Sequence, residues 1–80
     1  MISVVQIKAA RAMLGWSATE LAERASVGQA TVKRYELQEG IPQATTKVLL
    51  SIKSTLEDAG IEFTGDPLQN PGVTLHLFRD

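Results

Sequence analysis

"LGWSATELAERASVGQATVKRYE", residues 14–36, decides how this chain folds. Two short runs with helical periodicity flank a three-residue break at Ser26-Val27-Gly28. In the first run Ser17 stands at an N-cap position and Glu20 follows three residues later, the pattern of a capping box. Leu21, Ala22 and Ala25 form its buried stripe, and Trp16, just outside, is expected to anchor the core. The second run extends from about Gly28 to Leu37. With Val32 buried, the angular step of an α-helix turns Tyr35 and Glu36 to the same side. Ala30, Lys33, Arg34 and Leu37 then face away, and Gln29 projects from the first turn. The pattern is that of a small polar and cationic helix held outward by elements packed behind it.

The flanking sequence supplies those elements. "SVVQIKAARAMLG", residues 3–15, opens with Ser3 and Gln6 in capping-box spacing, carries Ile7, Ala10 and Leu14 at helical intervals, and stops at Gly15. After "QEGIPQA" a longer helix is expected from about Thr45 to Ala59, with Val48, Leu49, Ile52 and Leu56 on its apolar side. The tail then changes period. Ile61 and Phe63 alternate with polar residues, "GDPLQNPG" is dense in turn formers, and Val73, Leu75 and Leu77 alternate with Thr74, His76 and Phe78. This predicts a hairpin with a loop of about eight residues. A lone hairpin is marginal in water, so it must pack on the helices or pair with a second copy. The expected division is a helical part at 1–60 and a hairpin at 61–80 belonging to the same domain.

Eighty residues suit one domain with a modest core, too small for a large enzyme cleft. The absence of cysteine fits a reducing compartment, and no leader-like or membrane-spanning run is evident, so the expectation is a soluble, cytoplasmic protein with no membrane partner. The net charge of −1 hides an asymmetry. Residues 1–47 carry six basic side chains (Lys8, Arg11, Arg24, Lys33, Arg34, Lys47) against four acidic ones, whereas residues 48–80 carry two against five. Local field, not the total, decides whether a polyanion can dock. There is no glycine-rich phosphate loop, nucleophile elbow or acid–base pair, and a single histidine, His76, without cysteine makes a zinc site improbable. No enzymatic activity, metal or cofactor is expected.

Leu14, Gly15, Trp16, Ser17, Glu20, Leu21, Ala22, Val27, Ala30, Thr31, Val32 and Glu36 together resemble the helix-turn-helix of the phage-repressor or Cro-like (Xre-type) DNA-binding family. The resemblance covers roughly residues 5–60. It implies a mainly α fold, a lambda-repressor-like bundle of four to five short helices, here with a C-terminal β-hairpin. Its mechanics follow from size: two short helices joined by a tight turn cross steeply, so the second can enter a major groove about 12 Å wide while the first spans the backbone. Val27 would plug the angle between them.

On that resemblance Gln29, Ala30, Lys33 and Arg34 are the expected base contacts. An amide pairs bidentately with adenine, a guanidinium with guanine, and a small methyl lies against thymine. Lys33, a point charge, suits phosphate as well. Ser17, Thr19, Gly28, Thr31, Thr45 and Lys47 are expected at phosphates, where helix N-termini direct their N–H groups outward. Thr46, beside Thr45, belongs to the same group. The family pattern pairs Arg11 with Glu36 as a structural bridge. The chain departs from the pattern at Ala18, where Gln usually helps to hold a phosphate, at Ser26 and Gly28 in the turn, and in a loop with Glu39 and no cation. These departures imply weaker phosphate anchoring and a greater dependence on dimerisation. The implied function is a sequence-specific transcriptional regulator, a repressor, binding double-stranded DNA at a palindromic operator as a homodimer. The alternatives are the antitoxin of a toxin–antitoxin pair, with a toxin as partner, and a module whose helix faces another protein.

Overall fold

The fold was obtained as a computed structural model, which describes residues 1–77. The first helix, α1 (Val4–Leu14), carries the capping box that its sequence announces: the Ser3 hydroxyl accepts from the Gln6 backbone N–H, and Gln6 Oε1 accepts from the Ser3 N–H at 3.0 Å. Gly15 ends it at φ +70°, a left-handed turn that a residue with a Cβ adopts only at a cost. Val4, Ile7 and Ala10 face the core, Leu14 is half-buried, and Ile2, ahead of the helix, is fully buried.

α2 (Ala18–Ala25) and α3 (Gln29–Glu36) follow, joined by Ser26, Val27 and Gly28. The Ser17 hydroxyl accepts from the Glu20 N–H at 3.0 Å. The second capping box is nevertheless only half made, because the Glu20 carboxylate turns along the helix to Arg24 at 2.9 Å instead of reaching back. An arginine one turn ahead outcompetes a backbone N–H for the same oxygens. Ser26 closes α2 at φ 58°, ψ 41°, among the described residues the one non-glycine with positive φ. The Val27 N–H reaches the Ala22 carbonyl at 3.0 Å, and the Val27 side chain packs against the core between the two helices. α3 starts at Gly28 without a side-chain cap and ends at Leu37.

α4 (Thr46–Asp58) begins where the Thr45 hydroxyl accepts from the Val48 N–H at 3.3 Å. Leu49, Ile52 and Leu56 are its buried side, meeting Leu21, Ala22, Ala25, Val32 and Tyr35 in one cluster. α2 packs against both α3 and α4, and α1 also meets α3.

The chain then forms β1 (Ile61–Thr64) and β2 (Gly72–Leu75), antiparallel, with Ile61 opposite Leu75 and Thr64 opposite Gly72. Asp66 organises the connecting loop: its Oδ1 accepts from the N–H groups of Leu68 and Gln69, and Asn70 Oδ1 accepts from the Asp66 N–H. Gly65 has φ +72°, and a Cβ there would run into the Asn70 carbonyl, so the loop requires glycine at this point. Strand pairing ends sooner than the alternation suggests. The His76 N–H bonds the Gly60 carbonyl at 2.8 Å, and beyond Gly60 the opposite chain is already helix end, so Leu77 has no strand to follow and is 79% exposed. Phe78, expected on the outer face of this strand, lies outside the described residues.

The hairpin packs on α1 and α4. The buried Gln6 amide fixes it there, its Nε2 donating to the Thr64 carbonyl at 3.2 Å and to the Gly72 carbonyl at 3.1 Å. One side chain thus caps its own helix with its oxygen and holds both strands with its nitrogen.

The conformation of Ser26 carries a testable cost. A left-handed L-residue is strained by about 1 kcal/mol, and glycine would relieve this while adding freedom to the unfolded chain. Ser26→Gly is expected to raise the midpoint of thermal unfolding by about 2–4 °C, a net gain of about 0.5 kcal/mol in a domain of this size.

Candidate nucleic-acid interface

The exposed face of α3 carries Gln29, Ala30, Lys33 and Arg34, all solvent-accessible, with Leu37 87% exposed at the helix end. Val32 and Tyr35 occupy the opposite side and are buried. The face exists because an eight-residue helix with only two buried apolar positions packs through a narrow stripe, leaving the remainder to solvent. Thr31, half-buried, flanks the face.

What stops so small a helix from rocking is an ion pair behind it. Arg11 Nε donates to Glu36 Oε2 at 2.8 Å and Nη2 to Oε1 at 2.8 Å, a two-pronged bridge from α1 to the last residue of α3. Arg11 Nη1 also donates to the Trp16 carbonyl at 2.9 Å, so the same guanidinium ties in the α1–α2 turn. The side chains are only 22% and 11% exposed, and the hydrogen bonds that Arg11 donates to Glu36 hold the Arg11 pKa above its ordinary value. Such fork-to-fork geometry fixes direction as well as distance.

The remaining expected residues are distributed as follows. Ser17 caps α2 by accepting, which leaves its hydroxyl hydrogen available to a ligand. Thr45 does the same at α4, and Thr46 and Lys47 are exposed in the first turn of that helix. Gly28 supplies the uncapped start of α3, where the first-turn N–H groups point outward. Thr19 differs: its hydroxyl donates to Gln29 Oε1 at 3.2 Å, joining the first turns of α2 and α3. Sequence reasoning had no means to find this bond, because residues ten apart on two helices meet only once the crossing geometry is known.

The charges are sorted in the same sense. Arg11 and Arg24 are bound to glutamates, and Arg24 also lies over the Trp16 ring at 4.4 Å, so Trp16 is half-buried beneath a guanidinium and not a fully enclosed anchor. Lys8, Lys33, Arg34 and Lys47 have no ion-pair partner among the described residues. Arg34 lies against Tyr35, its guanidinium carbon 5.6 Å from the ring centroid. His76 sits far along the chain, paired with Glu62 at 2.7 Å on the exposed hairpin. No group of three or more metal-ligating side chains occurs among the described residues. Among them, too, no helix is long and apolar enough to cross a membrane.

The family model for helix-turn-helix domains (HTH_3) matches residues 7–51, which spans α1 to the first half of α4 and encloses all of α2 and α3. No curated protein sequence matches the chain.

The bridge behind α3 should behave as a partly buried pair. Glu36→Ala is expected to destabilise the fold by about 2–3 kcal/mol by stranding the guanidinium, read from urea midpoints at constant m. The double change Arg11→Met/Glu36→Leu is expected to cost less than that single one. A loss below about 1 kcal/mol for Glu36→Ala would mean the pair acts as a surface bridge.

Proposed function

The chain belongs to the Xre-type helix-turn-helix family of non-catalytic DNA-binding domains, and from that premise we propose that it is a sequence-specific transcriptional repressor, binding a palindromic operator as a homodimer with α3 in the major groove. The observation that carries this reading is the face of α3: an amide, a methyl and two cations without ion-pair partners among the described residues, on a short helix braced by the Arg11–Glu36 bridge.

Affinity would come from phosphates and selectivity from base edges. Ser17, Gly28, Thr31, Thr45 and Lys47 are proposed at the phosphates; Thr19, whose hydroxyl is turned to Gln29, is not among them. Gln29 and Arg34 are proposed as readers, with Ala30 allowing close approach and Lys33 acting mainly as a charge. The free cations supply few phosphate contacts, so a single unit would bind weakly; two units on one duplex, with half-sites about 34 Å apart, would bind cooperatively. Residues 61–80 are proposed as part of the same domain, and either the hairpin or α4 as the surface that meets the second copy. The packing of the hairpin on α1 and its attachment through Gln6 support the first of these statements.

Selection of bound duplexes from a random library tests the proposal. The native chain is expected to enrich a two-fold symmetric site. Gln29→Ala should change the preferred base at one position of each half-site. Lys33→Ala should weaken binding to all sequences alike and lower the salt slope by about 1. Absence of any enrichment from folded protein would overturn the reading.

A further inference from the structure

We infer that Thr19 is a positioning residue for base readout: its hydroxyl holds the Gln29 amide and so determines how sharply one base pair is discriminated. The inference rests on Gln29 reading a base. An exposed glutamine on a helix otherwise samples many side-chain rotamers, and ordering it on contact lowers affinity. Here the amide is already held through its oxygen, at 3.2 Å from Thr19 Oγ1.

Thr19 is suited to that role by its place in α2. It is the second residue of α2, immediately after the Ser17 cap and Ala18. A threonine inside a helix usually bonds its hydroxyl to a carbonyl three or four residues back. Gly15 and Trp16 lie ahead of the Ser17 cap, outside the helix, so no helical carbonyl is placed to receive the Thr19 hydroxyl, which points across to α3. The neighbouring Ala18, where the family usually has glutamine, has no polar atom to do the same.

The bond leaves Gln29 a definite set of contacts. Oε1 has two lone pairs and gives one to Thr19, while both Nε2 hydrogens stay free. One acceptor site and one donor are what an adenine edge requires, through N6 and N7. The hydroxyl hydrogen of Thr19 is engaged meanwhile, so a phosphate contact through that hydrogen would have to break the bond to Gln29.

The test is the library selection repeated with Thr19→Val, Thr19→Ser and Gln29→Ala, followed by titration of the selected operator and of a scrambled duplex at one fixed salt concentration. Gln29→Ala identifies the base pair that Gln29 reads. Thr19→Val, nearly isosteric but unable to donate, is expected to lower discrimination at that pair about fivefold while leaving affinity for scrambled DNA within about twofold. Thr19→Ser is expected to restore it, and Thr19→Ala serves as the non-donor should valine disturb the helix. Unchanged discrimination in the non-donor variants, with Gln29→Ala still altering that base pair, would overturn the role of Thr19 alone. A loss of affinity on every duplex alike would overturn it too, in favour of a phosphate contact. If Gln29→Ala changes no base preference, the reading of Gln29 falls and this inference with it.

Discussion

A helix of eight residues cannot hold its own direction, and the geometry of α3 depends on the bidentate bridge between Arg11 and Glu36. Propensity contributes little at this length, since isolated helices of fewer than about 12–15 residues are marginal. Two buried side chains, Val32 and Tyr35, set the depth of α3 against the bundle. They leave its rotation about the contact loosely fixed, because apolar contacts have no direction. A planar guanidinium meeting a planar carboxylate at two points does have one. The same Arg11 reaches the Trp16 carbonyl, so α1, the turn into α2 and the end of α3 share a single charged group.

The turn between α2 and α3 adds the second constraint. Ser26 accepts a strained left-handed conformation so that Val27 can enter the angle between the helices, and Gly28 starts α3 without a side-chain cap. At the outer end of that angle Thr19 touches Gln29. The outer face of α3 is therefore fixed at three heights: a partly buried ion pair behind it, an apolar plug at its corner, and a hydrogen bond at its leading edge. A face held this way would lose little freedom on docking, which would favour discrimination over adaptability.

Gln6 plays a comparable part on the other side of the molecule. The hairpin has only two short strands, with Ile61 buried and Phe63, Val73 and Leu75 half-buried, too little apolar surface to stay folded alone. The buried amide supplies fixed donors to a carbonyl on each strand, so the sheet is registered against α1 and not merely laid on it.

The sequence by itself determined the elements. Caps at Ser3 and Ser17, the stop at Gly15, and the switch from helical to alternating period before Ile61 are local signals, written within a few residues of where they act. The outward direction of Gln29, Ala30, Lys33 and Arg34 follows from periodicity once Val32 is buried. The pairing of Arg11 with Glu36 was legible only through the resemblance to a family pattern, since nothing local joins residues twenty-five apart. Tertiary structure decided what depends on competition between partners. Glu20 chose Arg24 over the cap, Ile2 was drawn into the core from outside any helix, and β2 stopped at Leu75 because no strand faced Leu77. Gln6 and Thr19 belong to this second class. A polar side chain carries no mark in sequence of which distant donor or acceptor will reach it, because hydrogen bonds are settled by distances of a few tenths of an ångström that exist only after the helices have crossed.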